Sequence, residues 1–204
     1  MFITRIGRED KSVKRGYLTF LSLIILTSGG LSPIFGQSKP APTGSAFRSE
    51  LVRQLKDAEN KLVALAEAMP QEKYSWRPGE GVRSVSEVFM HVAAGNFLIP
   101  ESAGIKAPAG LEANLDKISE KAKVVDLLKR SFQHDRQAFE STTDADLDKT
   151  IKLFGSETTV RDLFLRLVTH AHEHLGQSIA YARMNNITPP WTAARQQQQR
   201  SNPR

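Results

Sequence analysis

The stretch "LFLRLVTHAHEHLGQSIAYARMNNITPP" (163–190) reads as one amphipathic helix closed by an Asn-Asn pair and two prolines. It holds three of the chain's five histidines. At about 100° per residue, His174 lies about 40° from His170, and Leu163 and Leu167 fall in the same sector, about 20° and 60° away. His172 lies about 200° away and faces elsewhere. His170 and His174 are therefore a matched pair at the rim of a buried face, within the seam Leu163, Leu167, His170, His174, Gln177, Tyr181. Two imidazoles at i, i+4 can converge on one ion. They can also be core-edge histidines satisfied by neighbouring side chains.

Working outward, the same periodicity recurs three times. Leu51, Leu55, Ala58, Leu62, Leu65 and Met69 form a seam that predicts a first helix over about 45–69. The segment "PQEKYSWRPGEGVR" breaks it, and "SVSE" (84–87) then carries a capping box, Ser84 followed by Glu87, opening a second helix to about Ile99. A third helix over about 119–141 turns Val125, Leu128, Phe132 and Phe139 inward. His134, among polar sequence neighbours, is expected in solvent. After the turn-rich "TTDADLDKTIKLFGSETT", in which "TIKLF" reads as a short extended piece, the fourth helix starts at Thr158 or Thr159 and ends near Asn185, with Pro189-Pro190 forbidding its resumption. No convincing sheet is visible. The fold class expected is all-α, a four-helix bundle over 45–191, preceded by a signal peptide (1–36) and a linker (37–44). The Gln/Arg-rich residues 192–204 are expected to be a disordered tail.

The signal reading rests on order. Lys11, Lys14 and Arg15 precede the apolar run "YLTFLSLIIL" (17–26), which is followed by the small-residue stretch "TSGGLSPIFGQ". Cleavage after Gly36 fits best and Gly30 is the second choice; the competing reading is an uncleaved anchor. The apolar run is about half the length that a bilayer crossing needs. The expected location is periplasmic or extracellular. Removing 1–36 lowers the net charge from +6 to +3, with 23 basic and 20 acidic side chains left, so no polyanionic partner is required. With no cysteine in the chain, disulfides, thiolate ligands and a cysteine nucleophile are excluded.

His91 sits at the rim of the second helix's buried face, as His170 does on the fourth. Facing helices of a bundle can bring one such residue against an i, i+4 pair. Three imidazoles would leave open positions on the ion, as catalytic zinc sites do, whereas closed structural sites use four protein ligands. Other chemistries lack their motifs. "HAHEH" is not HExxH, and neither a GxSxG elbow nor the two Glu-x-x-His motifs of a di-iron bundle are present.

With "YSWRPGEGVRSVSEVFMHVAAGN" (74–96), the opening stretch resembles the DinB superfamily over roughly residues 45–191. The specific part is a histidine on the second helix plus HxxxHxGQ on the last: His91, His170, His174, Gly176 and Gln177. The resemblance implies a four-helix bundle that holds a divalent metal ion (zinc, nickel or iron) through the three histidines. It also implies chemistry of the kind performed by thiol-dependent transferases and isomerases using bacillithiol, mycothiol or glutathione. His172 and the export signal depart from that pattern, and export would separate the chain from cytosolic thiols.

Two functional readings follow. In the first, an enzyme of transferase or hydrolase type activates a water or thiol at the three histidines, with Glu87 and Glu173 flanking as proton-moving or orienting groups and Gln177 and Tyr181 contacting substrate. In the second, the bundle is a non-catalytic metal- or small-ligand-binding module. A blander third reading has the histidines only filling space. The partners expected are a small-molecule substrate, with a thiol as one candidate, and a second copy of the chain as a homodimer. Neither nucleic acid nor a stable membrane partner is expected.

Overall fold

A computed structural model of the protein describes residues 44–202. The expected signal peptide and nearly all of the expected linker lie outside the described residues. The described chain is mostly helical. It runs through α1 (Gly44–Ala68), α2 (Val85–Leu98), α3 (Lys121–Ser141), the hairpin β1 (Thr150–Leu153) and β2 (Ser156–Thr159), α4 (Val160–Met184) and α5 (Pro190–Ser201). Short 3₁₀ turns at Gln71–Lys73, Ile99–Ala103 and Leu115–Lys117 join the helices. Among the described residues no helix is long and apolar enough to cross a membrane.

The four long helices share one core. α2 packs on α3 and α4, and α1 packs on α3 and α4. The seam read on α1, from Leu51 to Met69, is buried throughout, as are Leu128, Phe132 and Phe139 of α3; Val125 is only half-buried. Phe139 stacks on Phe164 of α4 at 4.1 Å between ring centroids.

Helix α2 starts where the capping box places it. The Ser84 side chain accepts from Glu87 N–H at 3.3 Å, and Glu87 Oε2 accepts from Ser84 N–H at 2.7 Å. The preceding loop satisfies the next free donors: Val85 N–H donates to Trp76 O at 3.0 Å and Ser86 N–H to Tyr74 O at 2.9 Å. These bonds fix where His91, about two turns on, enters the core.

Three expectations need correction. Residues 190–201 form helix α5, not a disordered tail. The Gln/Arg-rich composition cannot build a core, but Ala, Gln and Arg are good helix formers, and Pro190 suits a first helical position. Pro189-Pro190 thus end one helix and begin another, after Asn186 turns the chain with a φ of 60°, and Trp191 packs against the core. The second correction is a small sheet. "TIKL" pairs antiparallel with "SETT", Leu153 opposite Ser156, leaving a two-residue turn at Phe154-Gly155. Both turn residues have positive φ, 51° and 84°, as a type I′ hairpin turn demands. Phenylalanine is a poor choice there, and the left-handed conformation costs a residue with a side chain roughly 1–2 kcal/mol.

The third correction is His134, which is buried, not solvated. Its sequence neighbours are polar, but Ser131 and Ala138, at three- and four-residue spacing, and Leu127, two turns back, face the core. The ring lies 5.8 Å from Phe97, and burial lowers its pKa.

The next residue, Asp135, is fully buried. Its Oδ2 lies 3.0 Å from the Asn96 amide of α2, and its Oδ1 has no partner. Burial, opposed by the Arg136 charge, raises its pKa well above the carboxylate range. The folded state therefore keeps a proton that the unfolded chain releases above about pH 3.9. The unfolded state binds fewer protons there, so this group makes stability fall as pH rises from about 4 toward the folded-state pKa. Asp135→Asn should remove that slope, by at most ~1.4 kcal/mol per pH unit. In urea unfolding at pH 4.5, 6 and 7.5, the variant should gain on the wild type as pH rises; parallel profiles would show that the buried carboxyl is ionised.

Candidate metal centre

α2 and α4 cross with His91 of one against His170 and His174 of the other. Their side-chain donor atoms lie within 4.8 Å of one another. Ring centroids are separated by 5.0 Å (His91–His170), 4.8 Å (His91–His174) and 4.6 Å (His170–His174), each pair near-perpendicular. His91 Nε2 and His170 Nε2 face each other at 3.2 Å. Two nitrogens on a tetrahedral ion at bond lengths of about 2.0–2.1 Å stand roughly 3.3 Å apart, so this edge already has the right span. Among the described residues, these three are the group of side chains able to hold an ion. An all-imidazole set suits borderline cations such as zinc, nickel or iron, not calcium or magnesium, which prefer oxygen.

His172 takes no part. Its Nδ1 pairs with Val168 O one turn back, at 2.9 Å, as the helical wheel requires of a residue on the far side of α4.

The close approach of the two helices depends on Gly95. It lies one turn beyond His91 on the same face of α2, and the His170 ring rests on its backbone. A Cβ at position 95 would sit 2.7 Å from His170 Cε1 and 3.2 Å from Nδ1, too close for the ring to stay. His170 Nδ1 is buried without a hydrogen-bond partner. Packing against Gly95 and the Nε2 contact with His91 therefore set the orientation of this ring.

His174 is oriented by a relay whose directions can be deduced. The Arg83 carbonyl can only accept, so Tyr181 O–H donates to it at 3.1 Å. Tyr181 oxygen then accepts from Gln177 Nε2 at 2.9 Å, which leaves Gln177 Oε1 to accept from His174 Nδ1–H at 2.8 Å. The proton on Nδ1 leaves the His174 Nε2 lone pair free for an ion. Trp76 packs edge-on against Tyr181 at 5.4 Å and holds the far end of the relay. Gln177 and Tyr181, read from the seam as substrate contacts, thus have their hydrogen bonds committed inside the protein.

Electrostatics favour neutral imidazoles. Burial first, then His174, His91 and Arg83, push the pKa of His170 down to about 4. Burial, Arg83 and His174 lower that of His91, with Glu173 opposing. Ligand nitrogens free of protons at pH 7 are what metal binding needs.

The two flanking glutamates differ. Glu87 accepts from Ser84 N–H with one oxygen and from Arg77 with the other, at 2.9 Å. The Ser84 backbone bond, chiefly, holds its carboxyl below the usual range. Glu173 is exposed and lines a cleft of about 450 Å³ with His91, Gly95, Leu98, Phe154 and His170. A second cleft of about 590 Å³ also includes His91, with Arg83, Met90, Leu111 and Leu115. Sequence reasoning singled out neither Gly95, Arg83 nor Phe154. Of these, Gly95 carried a legible signal, a residue without a side chain at i+4 from a rim histidine.

Comparison with solved structures finds the same fold in proteins of low identity. A DinB-like protein of Bacillus cereus superposes with a TM-score of 0.61 at 18% identity, over 72% of this chain and 95% of that one. A DinB-like protein of Bacillus subtilis gives 0.56 at 24%, over 68% and 93%. A conserved protein of Enterococcus faecalis gives 0.54 at 16%, over 66% and 94%. Comparison with the curated proteins gives no match. The family model for the DinB superfamily matches residues 54–178, from within α1 to Ser178 on α4 and spanning all three histidines, and the chain belongs to that superfamily.

Proposed function

We propose that the protein is an exported, metal-dependent enzyme of transferase or hydrolase type, built as a four-helix bundle from α1–α4. The observation that carries this reading is the three-imidazole set, with no fourth protein donor in its group among the described residues, beside two open clefts. His91, His170 and His174 would hold a divalent zinc, nickel or iron ion. Such an ion supplies Lewis acidity, lowering the pKa of a water or thiol beside it.

The chain's own residues do the rest. Gln177, braced by Tyr181 and the Arg83 carbonyl, keeps the His174 proton on Nδ1. Gly95 lets His170 lie against α2. Glu87 positions His91 by fixing the start of its helix, its carboxylate being engaged by Ser84 and Arg77. Glu173, the free carboxylate of the nearer cleft, takes up and returns the proton of the water or thiol that enters. The substrate is a small molecule and the chain works without nucleic acid or membrane; a homodimer is compatible with this reading.

Three outcomes test it. Substituting His91, His170 or His174 singly by alanine should each abolish stoichiometric metal binding in tag-free protein, measured by elemental analysis, and lower the thermal midpoint measured with metal. His172→Ala should keep wild-type stoichiometry; equal loss there would contradict the site. Gly95→Ala sets helix propensity against packing at the site. The metal-free protein should lose about 1–3 kcal/mol, because displacing the packed ring outweighs the better helix propensity of alanine, and metal affinity should fall at least tenfold because His170 must move. Unchanged affinity would mean that the ring's placement is not what matters. Export rests on the basic-apolar-small order of residues 11–36. N-terminal sequencing of the periplasmic or secreted form should begin near Gln37; an intact Met1 on protein confined to the cytosol would defeat it.

A further inference from the structure

The β1–β2 hairpin places an aromatic ring where neither folding nor solubility asks for one. Phe154 is 75% exposed, the most exposed large apolar side chain among the described residues. Its φ of 51° belongs to the left-handed region, which in a two-residue hairpin turn favours Asn, Asp or Gly. Strain of that kind persists where the surrounding structure over-determines it, and such positions cluster at functional sites. The hairpin is held: Leu153 is buried, and β1 packs on the 3₁₀ turn Ile99–Ala103 and on α4. Phe154 is therefore a fixed wall of the 450 Å³ cleft that contains His91 and His170.

An isolated exposed apolar residue needs no explanation. Here a second one, Leu98 at 51% exposure, lines the same cleft, and Ile99 adjoins it. The cleft is thus lined by the apolar Phe154, Leu98 and Ile99 together with Gly95 and two candidate ligands, and by Glu173 and Arg166. Its volume lies in the range of small-molecule sites. We infer that Phe154 is a specificity-determining residue, selecting substrates that carry an aromatic or branched apolar body next to the group that meets the metal. This rests on the three-histidine reading and adds the substrate class to it.

The test uses cobalt(II)-loaded protein, whose visible absorption reports ligands entering the metal's coordination shell. Phenylmethanethiol and ethanethiol share the binding group and differ in the apolar body. Wild type should bind phenylmethanethiol roughly tenfold tighter or more, as burial of a phenyl group allows. Phe154→Asn should bring the two within about threefold, by weakening phenylmethanethiol alone, with cobalt stoichiometry unchanged. Its thermal midpoint should hold or rise, because asparagine suits the left-handed turn.

No preference in wild type, a preference retained in Phe154→Asn, or no cobalt response to either thiol overturns the inference. So does a lowered midpoint for Phe154→Asn, which would make the ring a structural element. Loss of a dimer with the preference intact overturns it too, assigning Phe154 to a subunit contact. Absence of bound cobalt overturns the three-histidine reading and this inference with it. Full cobalt without phenyl selectivity overturns this inference alone.

Discussion

Where α2 and α4 meet, a histidine ring lies on a residue that has no side chain. His170 against Gly95 sets how closely the two helices approach, and that approach decides whether His91 reaches the pair on α4. Everything around the contact keeps it in register. The Ser84–Glu87 capping box fixes the start of α2, the loop carbonyls of Tyr74 and Trp76 take up its first donors, and Trp76 continues onto Tyr181 of α4. A shift of either helix by one residue would turn its histidines by about 100° and disperse the cluster.

Burial gives the cluster its chemistry. Three imidazoles sharing a half-buried site cannot all be charged, and desolvation with mutual repulsion holds His170 near a pKa of about 4. Neutral rings leave lone pairs, and lone pairs within a few ångströms of each other are costly unless something positive lies between them. A divalent cation answers that demand. His174 has its tautomer set from outside the cluster, through Gln177 and Tyr181 to the Arg83 carbonyl, whereas His91 and His170 meet each other. The site is thus oriented by two devices, a polar relay on one ring and steric confinement of another.

How much of this was legible depended on whether the signal was local. The four long helices, the capping box and the separation of His172 from its neighbours follow from periodicity, because a helix projects sequence onto faces by simple rotation. His134 was misread for the same reason: neighbours in sequence are not neighbours on a helix, and its true companions are Leu127, Ser131 and Ala138. Helix α5 was hidden because its composition speaks against a core but not against a helix. The β1–β2 turn was hidden because Phe154 is an improbable residue for it, and that improbability is what draws attention to the cleft it walls. The relay through Gln177 and Tyr181 lies on a legible seam, but its far end, the Arg83 carbonyl, is 98 residues away from Tyr181 and no local pattern announces it.

The arrangement makes one structural demand that spectroscopy can read without knowing the substrate. X-ray absorption at the metal edge of the zinc-loaded protein should show three nitrogen neighbours at about 2.0–2.1 Å with the outer-shell scattering of three imidazoles, and remaining coordination by light atoms from solvent. Fewer than three imidazoles, or a fourth protein ligand closing the shell, would contradict a three-histidine centre left open for chemistry.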